Sequence, residues 1–144
     1  MALNLINVQG ESFTAKADEA IAAGDFVKST SSNDVVTSSG LSSYVADDVK
    51  VSKADASGDE NLLVGIAADT IASGAFGTIY TEGLFIVRAG EAIATGSTIQ
   101  KAESTDQLEV EVLDVATNGG QDRCGKALTG ASAADQYLVI LFRL

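Results

Sequence analysis

A four-residue pattern, Ile-Ala-x-Gly, occurs three times in the chain: Ile21-Ala22-Ala23-Gly24, Ile71-Ala72-Ser73-Gly74 and Ile93-Ala94-Thr95-Gly96. After each copy, apolar or β-prone residues resume within a few positions. An Ile at a strand end anchors it in a core, two small residues clear the corner, and Gly supplies the positive φ that other residues resist. Gly24, Gly74 and Gly96 are therefore expected as structural turn glycines. A second pattern, Gly-x-Ala, occurs in Val64-Gly65-Ile66-Ala67 and in Cys124-Gly125-Lys126-Ala127. Pairing the two patterns divides the chain into two related halves. Ile21 and Gly65 are 44 residues apart, Ile93 and Gly125 are 32 apart, and a Ser/Thr-rich stretch in the first half accounts for the excess.

The rest of the sequence reads in short β-branched or aromatic pieces separated by turn clusters, which points to an all-β chain. Expected strands are 12–16, 25–29, 35–38, 44–51, 62–67, 77–81, 84–88, 98–101, 108–113 and 136–143. In the ninth, Leu108, Val110 and Val112 alternate with Glu109 and Glu111, placing the acids on a solvated face. The last, Tyr137 to Phe142, is apolar on both faces and reads as a central strand. Residues 15–23 are rich in helix formers and end at Gly24, yet the repeats favour a strand and turn there. With no Pro and fourteen Gly, turns must be made by Gly, Asn, Asp and Ser. The expectation is a compact single-domain β fold over residues 12–144, barrel-like or sandwich-like, built from two related halves with little helix. An exposed Ser/Thr-rich hairpin is expected near 29–43, and surface turns at 54–61 and 117–123.

What the chain lacks limits its chemistry. Its 144 residues contain no His, so Ser-His, Cys-His and His-metal mechanisms are excluded. The lone Cys124 forms neither an internal disulfide nor a multi-thiolate site and reads as a small inert residue. Paired carboxylates remain: Asp18 with Glu19, Asp47 with Asp48, and Glu109 with Glu111. Glycosidases add an aromatic binding platform to such a pair, and here there are eight aromatics and no Trp. The segment Asp55 to Asn61 superficially resembles a calcium loop, but its Gly58 stands at the fourth position and Ile66 occupies the twelfth, where a bidentate acid is required. No Gly cluster has the Lys-Ser/Thr ending of a phosphate loop. No cofactor, metal or catalytic residue is expected. A formal charge of −11 repels nucleic acid and anionic lipid, and no apolar run reaches membrane-spanning length.

The ordered series Ile21-Ala22-Ala23-Gly24-Asp25-Phe26-Val27, Val64 to Ala67, Ile71 to Gly74, Gly83-Leu84-Phe85, Ile93 to Gly96, Gly125-Lys126-Ala127-Leu128 and Leu138 to Phe142 resembles the small capsid cement, or head-decoration, proteins of tailed bacteriophages. The resemblance runs from about residue 12 to the end, with longer segments at 29–61 and 102–123. It implies a non-enzymatic β protein, made in the host cytoplasm. Such a protein sits on the outer surface of the phage head and stabilises contacts between major capsid protein subunits, often as a homotrimer. The alternatives are another virion module, such as a tail or fibre base, or a glycan-binding β domain.

Residues 1–11 form either an edge strand or an arm. Leu3, Leu5, Ile6 and Val8 are the candidate contact residues if the segment pairs with a neighbouring protein by strand addition.

Overall fold

The structure is a computed structural model that describes residues 5–7, 11–30, 50–56, 58–103, 106–118, 120 and 122–144. Eleven strands are found among them: β1 (Leu5–Asn7), β2 (Ser12–Ala17), β3 (Phe26–Ser29), β4 (Lys50–Lys53), β5 (Leu63–Ala67), β6 (Phe76–Tyr80), β7 (Glu82–Ala89), β8 (Thr98–Lys101), β9 (Glu109–Val112), β10 (Arg123–Ala127) and β11 (Tyr137–Arg143). Helix is confined among these residues to a 3-10 turn at Asp59–Leu62 and the four-residue Val115–Asn118. The expected strand at 35–38, the body of the 29–43 hairpin and residues 44–49 lie outside the described residues.

Strand β2 decides the conflict between propensity and pattern at 15–23. Ala15 and Ala17 alternate with Lys16 and point into a core, both essentially unexposed. A helix would spread these small residues around its circumference, whereas a strand lines them on one face. Tertiary burial therefore overrides helix propensity here.

The strands close into two five-stranded barrels. The first runs β2-β4-β3-β5-β6 and closes on itself. The second runs β7-β11-β10-β8-β9 and closes through the β7–β9 pairing, with β1 added on the outside of β7. Each barrel uses the same connections. Its first strand is parallel to its third (β2 with β4, β7 with β9), and every other neighbouring pair is antiparallel. The registers agree residue by residue: Val27 faces Gly65 as Ile99 faces Gly125, and Phe26 faces Ile66 as Thr98 faces Lys126. The chain is two copies of one barrel.

The corners repeat as well. The Gly24 amide donates to the Ala67 carbonyl and the Gly96 amide to that of Ala127, while Ile21 bridges Ile71 as Ile93 bridges Ala131. Gly74 and Asp135 donate their amides to the matching carbonyls of Ala17 and Ala89. Ala131 to Asp135 is therefore a fourth corner, hidden in the sequence because Ala replaces Ile and Asp replaces Gly. Asp135 holds a φ of 65°, a left-handed conformation that Asp tolerates better than most side chains.

Two cores fill the barrels. Ala15, Ala17, Ile21, Val27, Val51, Ala67, Ile71 and Ile79 fill the first, and the second is centred on Phe85, Val87, Ile93, Ile99, Leu138, Ile140 and Phe142. One pair of positions shows how the copies diverged. A side chain at Gly77 of the first barrel would collide with Ile71, whereas the matching positions of the second barrel hold Leu138 and Ala131. Large and small have changed places across the same space, which conserves the filled volume. Phe26, Ala54 and Ile66 belong to the first barrel by chain but pack in the second barrel's cluster, with Leu63 and Tyr80 against it. Phe142 lies 5.9 Å from Phe26 and 6.0 Å from Phe85, and Tyr80 lies 6.0 Å from Phe85. The Phe26 amide also donates to the Gln107 carbonyl of the second barrel.

Candidate functional site

Of the carboxylates singled out in the sequence, those among the described residues are taken up by structural contacts. Glu109 is not part of a solvated face: one of its oxygens lies 3.1 Å from Nε of Arg88, outside hydrogen-bonding geometry. The same guanidinium contacts Asp106 and reaches Asp135 at 3.9 Å, tying β7 to the β8–β9 connection and the fourth corner. Glu111 accepts from Nε2 of Gln100 at 2.7 Å and from the Glu103 amide at 3.1 Å. Val112, expected in the core, is exposed at the barrel rim, where the first barrel carries Lys53. Glu19 accepts from the Lys53 amide at 2.9 Å. Asp47 and Asp48 lie outside the described residues. In the calcium-loop-like segment, Asp59 accepts from Nζ of Lys28 at 2.7 Å and from the Ala56 amide at 2.9 Å, so it closes a turn onto β3. Among the described residues no group of three or more His, Cys, Asp or Glu side chains is placed to hold a metal ion. Cys124 is fully buried, and burial pushes its thiol up to about 12, which keeps it protonated and unreactive.

Asp25 is the buried carboxylate of the first corner. Burial pushes its pKa above the ordinary value, while hydrogen bonds from the Ala22 amide, at 2.9 Å, and from Gln107, together with the charge of Lys53, act the other way. The folded chain thus holds this proton more tightly than the unfolded chain. This group's contribution to stability is greatest below the ordinary carboxylate pKa and is lost as pH rises through the raised one. Asn can still accept the Ala22 hydrogen bond and carries no charge to desolvate. Asp25→Asn is therefore expected to raise the melting temperature at neutral pH, with the gain shrinking on acidification; calorimetry from pH 4 to 7 measures it.

The turn glycines lie where the pattern placed them: Gly24, Gly74 and Gly96 have φ of 94°, 80° and 87°. In the N-terminal segment, Leu5 pairs with Phe85 and Asn7 with Leu84, antiparallel along β7. Ile6 sits between them, and Leu3 and Val8 are outside the described residues.

A surface groove of about 440 Å³ opens on the outside of the second barrel, lined by Thr98, Arg123, Gly125, Lys126, Leu141, Arg143 and Leu144. Sequence reading missed it because β10 is not among the expected strands, and only the barrel brings β8, β10 and β11 side by side. Three of the chain's nine basic residues meet there. Arg143 reaches Glu82 only at 3.9 Å, and neither Arg123 nor Lys126 has an ion-pair partner among the described residues. Exposed Leu141 and Leu144 add apolar surface.

Among the described residues the groove and the barrels carry no catalytic constellation, and the family model for phage cement proteins matches residues 41–144, more than two thirds of the chain. The chain belongs to the phage cement protein family. This cement protein is accordingly a structural protein associated with the phage virion. Among solved structures it is similar to the N-terminal base of the head fibre gp8.5 of bacteriophage phi29, at 17% identity over 92% of each chain with a TM-score of 0.55, a likeness of fold. No curated protein matches it.

Proposed function

We propose that this cement protein binds the outer surface of the assembled phage head and stabilises contacts between major capsid protein subunits. The observation that carries the reading is the family match over residues 41–144. A double barrel in which Glu19, Glu109 and Glu111 are taken up by contacts within the fold suits a protein that acts by being bound. Its mechanism is mass action: a ligand that binds only the assembled lattice stabilises that lattice by RT ln(1 + [L]/Kd) at each site. In this reading the protein acts as a homotrimer, because simultaneous contacts raise the effective affinity when each is weak. It is made in the host cytoplasm and joins the head from outside, where its net charge of −11 does not face packaged DNA. Residues 1–11 contribute an edge strand, since Leu5–Asn7 lies along β7, and this edge, with Leu3, Leu5, Ile6 and Val8 as contact residues, serves as the arm that meets a neighbouring protein; residues 12–144 form the domain that carries it.

Mixing the purified protein with expanded, undecorated heads tests the proposal. The expected result is co-sedimentation and a rise in capsid melting temperature, both reduced when residues 2–9 are removed from a chain that still folds. Absence of binding by the full chain overturns the reading. The likeness to a head fibre base favours one second reading, an attachment base on the head for a projecting fibre. Cryo-electron microscopy of the decorated heads separates the two, since only a base carries a projection.

A further inference from the structure

The internal duplication gives the basic groove a counterpart. By register, Thr98, Arg123, Lys126 and Leu141 of the second barrel occupy the places of Phe26, Leu63, Ile66 and Tyr80 in the first. Those four first-barrel residues are the face by which that barrel packs on its neighbour. The two copies are thus joined head to tail, and a head-to-tail join always leaves one unused copy of the docking face. Here that copy is the groove. There the aliphatic Leu63 and Ile66 are matched by the cations Arg123 and Lys126, and the aromatic Phe26 and Tyr80 by Thr98 and exposed Leu141, so a second barrel end no longer fits it.

We propose that this face is the docking surface of the protein, and that its occupant is an acidic segment of the capsid shell with apolar side chains that cover Leu141. The charge argument is specific to the place. The chain as a whole carries 20 acidic residues against nine basic ones, yet Arg123, Lys126 and Arg143 converge on one face. The remaining basic residues of known partner are held within the fold, Lys28 by Asp59, Lys53 by Glu19 and Arg88 by its carboxylates. Cations grouped on an otherwise acidic molecule steer and orient an acidic partner while the rest of the surface repels it. The inference rests on the proposed head-binding function and names the face that performs it.

The test uses the full-length protein and its double charge reversal, Arg123→Glu with Lys126→Glu, titrated against expanded, undecorated heads at two salt concentrations. Both side chains are exposed, so the variant is expected to keep its circular dichroism and melting temperature. The wild type should bind more weakly at higher salt. The reversal should lower affinity by at least about tenfold, and the charge-conserving pair Arg123→Lys with Lys126→Arg should retain most of it. If the wild type binds and the folded reversal binds equally well, the docking face is elsewhere, and the head-binding function stands without it. If the wild type fails to bind heads, the function and this surface both fall. Sedimentation of the two proteins alone covers the remaining occupant. A self-associated wild type with a monomeric variant means that the groove takes a second copy of the chain, which overturns the capsid as its occupant.

Discussion

Replacing Gly125 with Ala is expected to remove most of the stability of the fold, about 3–5 kcal/mol, enough to leave much of the protein insoluble on expression. Gly125 lies within β10, between β11 and β8. A Cβ built there runs into the backbone carbonyl of Leu141 and approaches the Leu141 carbonyl carbon at 3.0 Å and the Phe142 Cα at 3.1 Å. Backbone atoms of a central strand have no rotamer to yield, so relief requires opening the β10–β11 pairing. Gly65 holds the matching place in β5, where a Cβ meets the carbonyl oxygen of Tyr80 and the side chain of Ile79, and a loss of similar size is expected. Gly96→Ala is the control. Its φ of 87° disfavours a side chain, but nothing lies within 4 Å, and the expected cost is about 1–2 kcal/mol. Urea unfolding of the three variants measures the contrast. Equal losses for Gly96 and Gly125 would mean that close approach has no special role.

These two glycines also show where sequence reading succeeds and where it stops. The repeated Ile-Ala-x-Gly corners were legible because positive φ leaves a mark on residue choice, and eight of the expected strands appear at or near their places because alternation survives in the sequence. Strand β10, Arg123-Cys124-Gly125-Lys126-Ala127, was not legible. It contains no β-branched or aromatic residue, and a Gly at its centre argues locally for a turn. It is a strand because its neighbours offer two ladders of backbone hydrogen bonds and approach too closely for a side chain. The fourth corner was invisible for a related reason: Asp135 takes the conformation that Gly74 takes, and Ala131 leaves to Leu138 the volume that Ile71 fills. The alternation in β9 placed Val110 correctly and misplaced Val112, since period two describes a face and not where a barrel wall ends. The basic groove follows from strand adjacency, which no single segment encodes.

Truncating Phe26 to Ala is expected to cost about 3–5 kcal/mol and to loosen the two barrels from each other. Phe26 is fully buried, but its ring does not serve the barrel that its strand builds. Its neighbour Val27 points into the first barrel's core, and Phe26 points the other way, into the second barrel's cluster beside Phe142. Of the residues that cross the junction, Phe26, Ala54 and Ile66 are fully buried and Phe26 is the largest, while Leu63 and Tyr80 are only partly buried. Each barrel retains its closed ring of strands and its own core without the Phe26 ring, so the loss falls on the coupling and not on either unit. Calorimetry of the wild type should give one transition, and the variant should give two, or one broadened well beyond it. The Phe142→Ala variant gives the comparison, because Phe142 belongs to the second barrel itself and its removal should lower that barrel's own stability as well. A single sharp transition in Phe26→Ala with a loss below about 1 kcal/mol would show that the barrels are coupled elsewhere. The head-to-tail join would then no longer explain why Thr98, at the same position in the second copy, is free to face an open groove.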